Sequence, residues 1–339
     1  MPAGNINVNN IIAEWGNFAK NQGQRISDFV PPHMTANETD QVLTKIMTQD
    51  ETVTKLSASI GPVLQSYQDM FTPNTDLSFD FHPITLARLK IDQLFVPDVF
   101  ASTYLDFFTN TDDMDRKNWP FARWYFINYV WPRFEQDWER NEVWKGVKTA
   151  PTAGTVSLPG KNVDGLGIIR KRNIAAGKTS PIPVGAIPRL PNGEVDPVKF
   201  VLYVEEFIKR IDPTLLPDLG SLKMSRTLAE AFAEGMEARN TTYARINQDA
   251  LYTVARKGVE ICKVNIKGKD FRGLSSMEGT DVIYVTTKGN DVLLEKNIGN
   301  QGIFQLESVD RQVKMFADFY KAPGIIYPKH FFTNNVELV

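Results

Sequence analysis

The sequence predicts an α+β protein in which a long aromatic helix and a set of alternating strands are separated, by a loop-rich stretch, from a second helix-and-strand region. Three observations predict it. Five of the six tryptophans lie between Trp119 and Trp144 at helical spacing. Apolar and polar residues alternate from Leu77 to Ile91 and again from Phe304 to Phe319, the period of a half-buried strand. Residues 149–197 carry glycine and proline at a density that breaks both helix and strand.

Composition bounds what such a chain does. With 339 residues it is long enough to bury about two cores. Hydrophobic residues at 42% and charged residues at 23% fit a globular chain and exclude disorder throughout. No apolar run reaches the roughly 20 residues a bilayer-spanning helix needs, and MPAGNINVNN has neither the basic start nor the apolar stretch of a signal peptide, so neither membrane insertion nor export is expected. Cys262 is the single cysteine, which excludes an intrachain disulfide and a thiolate zinc cluster. Lys plus Arg number 38 against 40 Asp plus Glu, a formal charge of -2, too balanced for a protein that lives by neutralising phosphates.

Residues 1–37 are polar and asparagine-rich, an arm with Trp15 as its anchor. Asp40 is placed to cap a helix through Val42, Leu43, Ile46, Met47, Val53, Leu56, Ile60, Val63, Leu64 and Tyr67, broken near Gly61 and Pro62. From Leu77 the period changes to two, and two strands joined by a bend near Pro83 form a ribbon, with Arg88, Lys90 and Asp92 on its charged side. Such a ribbon needs another surface to cover its apolar side. Pro120 suits the first turn of a helix running to Gly146, whose stripe is Trp124, Ile127, Trp131, Phe134 and Trp138. Pro132 removes one backbone donor and should kink it. Asp196 caps a helix from Pro197 that buries Phe200, Val201, Val204, Phe207 and Ile208 and ends at Pro213. Leu222–Met224 reads as a strand feeding Ser225, the cap of a helix over Thr227–Arg239. Strands follow at Val259–Val264, Val282–Thr286, Phe304–Phe319 and the final Ile325–Phe332 stretch.

Chemical motifs fail one by one. Gly177-Lys178-Thr179 lacks the glycine of a phosphate loop, because Arg172 stands there and no strand leads in. His33, His82 and His330 are scattered without metal-ligand spacing. Cys262 sits inside a strand-like run, and no serine forms a nucleophile elbow. Arg170, Lys171, Arg172 and Lys178 read as a solvated basic loop. Glu135, Asp137 and Glu139 beside tryptophans suggest a sugar-processing cleft, but residues two apart on a helix do not face each other, and a solvated helix face is the better reading. Neither catalytic residues, cofactor nor metal are expected.

Three stretches carry a resemblance: FDFHPITLARLKIDQLFVPDVF leading to NWPFARWYFINYVWPRFEQDWERNEVWKG, then LKMSRTLAEAFAEG, then GLSSMEGTDVIYVTTKGNDVLL with FQLESVDRQVKMFADF. In order and texture the chain resembles the major capsid proteins of tailed double-stranded DNA phages, the Hong Kong 97 (HK97) type, and is similar to those of phages of Bacteroidetes hosts. The resemblance implies an HK97-like capsid fold: an N-terminal arm with helix over 1–75, an extended loop over 76–100, a peripheral domain over 101–194 with its spine helix at 119–146, an axial domain over 195–300, and closing strands at 301–339 that return to the peripheral domain. It implies copies of itself as partners, in pentamers and hexamers that close an icosahedral shell. Separate scaffolding, portal and decoration proteins, weak non-specific contact with packaged DNA, and no membrane complete the expected partners. The location it implies is the virion capsid, with synthesis in the host bacterial cytoplasm. The residues expected to carry structure and interface are Trp119, Trp124, Trp131, Phe134, Trp138, Arg88, Lys90, Asp92 and Trp15. Alternatives are an encapsulin-like shell around an enzyme cargo and a hydrolase using Glu135 and Glu139.

Overall fold

The computed structural model describes residues 11–17, 38–60, 63–73, 77–96, 121–243, 271–296, 303–310 and 312–336. Its contacts divide the chain into two units, the first drawn from 1–49, 86–165 and 294–322, the second from 50–85, 166–293 and 323–339.

The first unit is a helix laid on a sheet. Strands β1 (Thr44–Thr48), β4 (Ala87–Phe95), β8 (Asp291–Lys296) and β10 (Gln312–Ile325) run in the order β1-β8-β10-β4, and β9 (Ile303–Val309) pairs with β10. Register explains the two faces. Phe95 pairs with Val313, Ile91 with Ala317 and Leu306 with Met315, and these residues form one apolar face. Arg88, Lys90 and Asp92 pair with Tyr320, Asp318 and Phe316 on the other. Asp310, at φ 52°, turns β9 into β10.

Residues 121–142 are helical throughout and lay Phe121, Ala122, Trp124, Tyr125, Phe126, Ile127 and Val130 on the apolar sheet face. The helix contains two π turns, Phe126–Val130 and Trp138–Glu142. The first comes directly before Pro132: the Trp131 N–H reaches back five residues to the Phe126 carbonyl. Pro132 has no N–H and its ring crowds the preceding turn, so the widened turn takes up the misfit that the sequence suggested as a kink. Trp119 and Pro120 lie outside the described residues.

The second unit has a four-stranded sheet, β11 (Phe331–Thr333), β7 (Tyr284–Thr286), β5 (Leu222–Ser225) and β6 (Phe271–Leu274), in the order β11-β7-β5-β6 with β5 and β6 parallel. Two helices, Pro197–Lys209 and Arg226–Tyr243, share its core, where Phe200, Val204, Phe207, Met224, Phe232 and Ile283 are fully buried and Phe232 stacks on Phe271 at 4.3 Å. Both capping expectations hold: Asp196 accepts from the Lys199 amide at 3.2 Å and Ser225 Oγ from the Leu228 amide at 3.3 Å. Where the helices cross, a Cβ on Gly235 would overlap the Pro197 carbonyl and approach Val201 Cγ2 at 2.8 Å. Gly235→Ala is therefore expected to lower stability by about 2 kcal/mol through overpacking, readable as a drop in the thermal midpoint; an unchanged midpoint would contradict the crossing.

Several expectations are corrected. No helix runs from Val42 to Tyr67: the helix is Glu38–Val42, and β1 and β2 (Thr52–Ile60) follow. The apolar spacing there fits both periods, and the β-branched Thr, Val and Ile in TVTKLSASI favour the strand. The two strands of 77–95 do not pair with each other. β3 (Leu77–Thr85) pairs with β2, β4 pairs with β10, and Pro83 lies inside β3 opposite Thr54. The ribbon expected over 76–100 is thus built from 52–60 and 77–85. The closing strands divide, β9 and β10 joining the five-stranded sheet and β11 the four-stranded one. Leu166–Ala175 is a helix inside the loop-rich stretch. The Val259–Val264 strand with Cys262 lies outside the described residues.

Candidate assembly surfaces

The β2–β3 ribbon of the second unit is inside out. Opposed residues in an antiparallel pair share a face. Leu56 with Phe81, Ala58 with Phe79 and Thr54 with Pro83 make one face; Lys55 with His82, Ser57 with Asp80 and Val53 with Ile84 make the other. The second, mostly polar face turns inward. Ile84 and His82 are buried, Ser57 Oγ lies 2.9 Å from His82 Nε2, Asp80 meets Lys329 at 3.6 Å, and Ile84 lies over Gly324. Burial first, then Lys178 and Lys329, hold the His82 imidazole below its usual pKa against the pull of Asp80. The apolar face looks out: Phe79 is 52% and Phe81 62% exposed. Beyond it, Val63, Leu64, Tyr67, Met70 and Phe71 are exposed as well, Leu64 to 95%. An exposed apolar stretch of this size on one ribbon marks a contact surface.

In the first unit, the helix of residues 121–142 is joined to the N-terminal segment by a buried polar network. Glu139 accepts from the Thr39 amide at 3.3 Å and from Thr39 Oγ1 at 2.5 Å. Asp40 accepts from Trp138 Nε1 at 3.0 Å and pairs with Lys321, whose ammonium lies 4.4 Å from the Trp138 ring centroid and 3.8 Å from Glu295. Lys321 reaches this point because it lies on the helix-facing side of β10, in register with Ala87.

In the same C-terminal turn of the helix, the Glu142 carboxylate accepts from the Gly160 amide at 2.7 Å, the Asn162 amide at 3.3 Å, Asn162 Nδ2 at 2.5 Å and the Val163 amide at 3.2 Å. It ties down the base of a loop whose residues 147–159 are all exposed, Val156 to 90%. Glu142→Ala strands these donors, each costing about 1–3 kcal/mol if left unpaired. We expect protease cleavage within 147–165 to accelerate at least tenfold; equal rates would show that the carboxylate is not what holds the loop.

The residues singled out by sequence fall into three groups. Trp15, Trp124 and Trp138 are core, while Trp131 and Phe134 are half-buried, with Phe134 edge-on to Phe319 at 4.7 Å. Arg88, Lys90 and Asp92 are exposed on the sheet; Arg88 pairs with Asp318 at 2.6 Å and Lys90 with Asp92. Exposed pairs of this kind contribute little to stability. Glu139 does not offer a free carboxylate: both its oxygens are engaged by Thr39 and it is buried, while Glu135 is half-buried. The basic loop is also corrected, because Arg170 is 1% exposed and donates to Thr333 Oγ1 and the Asn334 carbonyl. Gly177-Lys178-Thr179 ends a helix: Gly177 has φ 68°, and the Lys178 amide returns to the Asn173 carbonyl at 2.9 Å. Sequence reasoning missed Lys321, Thr39 and Glu142, since a lone polar residue in an apolar strand or at a helix end has no local signature of its partner.

Among the described residues, no helix is long and apolar enough to cross a membrane, and no group of three His, Cys, Asp or Glu residues could hold a metal ion. No protein-family model matches the sequence, and no curated protein matches it. Among solved structures, the chain is similar to the capsid of a native GTA particle, at 10% identity over 88% of this chain and 89% of that chain, with a TM-score of 0.49. It is similar to the capsid of Myoviridae Phage XM1 at 12% identity over 87% and 90%, TM-score 0.49. It is also similar to the holo-SrpI encapsulin complex from Synechococcus elongatus PCC 7942 at 12% identity over 90% and 89%, TM-score 0.48.

Proposed function

We propose that the chain is a shell-building subunit of the HK97 type and, more finely, the major capsid protein of a tailed double-stranded DNA phage. The observation that carries the reading is the inverted ribbon. Its polar face is used within the subunit and its apolar face is left for another surface, and the occupant this reading assigns is a second copy of the chain. In this reading the ribbon of 52–85 is the extended loop, the first unit with its helix is the peripheral domain and the rest of the second unit is the axial domain. Contact between a ribbon on one copy and a different surface on the next is heterologous, and repeated with rotation it closes rings and then a shell of pentamers and hexamers. The near-neutral charge suits a wall that holds DNA by weak contacts. Portal, scaffolding and decoration proteins would join it in the virion.

Negative-stain microscopy and sedimentation of the full-length chain, with and without other virion proteins, test the proposal. Closed megadalton particles are expected, and packaged nucleic acid rather than an enzyme cargo supports the phage over the encapsulin reading. Small homogeneous oligomers under all conditions would overturn both.

A further inference from the structure

The segment 38–43 is fastened within the first unit by a cluster in which, among the described residues, carboxylates outnumber ammonium groups around Lys321. Thr39 and Asp40 are each 1% exposed. Around them stand Asp40 itself, Glu135 and Glu139 from the helix, Glu295 from β8 and Lys321 from β10, with Glu38 also facing Glu139. Among the described residues, Asp40 and Glu295 pair with Lys321 and Glu135 lies within reach of its charge, so three carboxylates share one ammonium, while Glu139 is held by Thr39. Glu135 lies three and four residues before Trp138 and Glu139, the spacing that stacks side chains on one helix face, and those two residues hold Asp40 and Thr39. An excess of like charge in a half-buried site is relieved either by taking up a proton or by opening to water.

We propose that this cluster is a pH-operated latch on residues 38–43, closed while the excess carboxylate is protonated and loosened when it ionises. Glu135 is the group that titrates in the useful range. Burial pushes its carboxyl up to about 7, opposed by the Trp131 hydrogen bond and by Lys321 and reinforced by Asp40 and Glu139. Burial also raises Glu139, against the two Thr39 hydrogen bonds. The closed state thus holds a proton that the open, hydrated state releases near the ordinary carboxylate range. Stabilisation of the closed state is complete below about pH 4.5 and is lost as pH rises through about 7. One proton sets a ceiling of about tenfold per pH unit, and partial exposure of Glu135 lowers the yield.

Hydrogen exchange of the full-length chain between pH 5.5 and 8, corrected for intrinsic rates, reads the latch at the Thr39 and Leu43 amides, which donate to Glu139 and to the Thr39 carbonyl. Opening is expected to rise roughly tenfold across this range, while amides of the Phe200–Phe207 stretch stay unchanged. Glu135→Gln should flatten the profile in the closed condition, and Lys321→Met should open the segment at every pH. A flat wild-type profile, or the same slope in Glu135→Gln, overturns the latch. Neither result depends on whether the chain forms shells.

Discussion

In the proposed shell-building role, replacing Phe79 and Phe81 together by lysine is expected to leave the subunit folded and to abolish closed particles. Both side chains project from the outward face of the ribbon, so the free subunit loses little, and exposed substitutions of this kind usually fall within about 0.5 kcal/mol of neutral. In the assembled state the effect is large. Burying one phenylalanine contributes about 1.5–3 kcal/mol, so losing two removes about 3–6 kcal/mol from each contact and weakens its equilibrium constant by roughly a hundredfold or more. Every subunit carries the same defect, which multiplies the loss over the shell. Sedimentation velocity should show only slow species, with a circular-dichroism melt unchanged from wild type. Particles at wild-type yield would remove the ribbon from the assembly contact.

Trp138→Ala is the most damaging single change expected in the first unit. The ring is 1% exposed, its indole N–H holds Asp40, and Lys321 lies over its face. Deleting a buried tryptophan costs about 3–5 kcal/mol, and Asp40 loses a donor inside the network. Set against a typical total of about 5–15 kcal/mol, that suffices to unfold the unit at moderate temperature. Calorimetry should show loss or a large downward shift of one transition. Trp131→Ala is the internal comparison: its ring is half-buried against the core around Trp124 and Phe126, so a smaller shift is expected. Equal losses at the two positions would argue against the difference in burial.

This contrast shows what the sequence could and could not convey. Trp124, Trp131 and Trp138 share one helical stripe on a straight helix, and spacing alone ranks them equally. The structure separates them through the π turns and through what the sheet places opposite each ring. Local signals were legible where one residue acts on its own backbone, as at Asp196 and Ser225. Pairing was not legible: β3 and β4 are adjacent in sequence and equally alternating, and only the partners β2 and β10 decide that they part company at Leu86. The helix Leu166–Ala175 escaped notice because its apolar residues follow no single stripe and its buried contacts are Leu166 and the charged Arg170. The latch was invisible for the same reason, since Asp40, Glu139, Glu295 and Lys321 lie up to 281 residues apart in sequence. Glu135 and Glu139 stood out early for a catalytic reason; the structure gives them an electrostatic one.

In the proposed shell-building role, the outward-facing ribbon also sets the kinetics of the free chain. In that role a subunit whose adhesive face is uncovered is governed by abundance: below a critical concentration copies would remain dispersed, and above it growth would proceed after a lag. The same exposure that drives closure makes any subunit left outside a growing shell a nucleus for disordered clumping. Timely synthesis, or a partner that shields Phe79 and Phe81 until neighbours arrive, follows from the orientation of one strand pair.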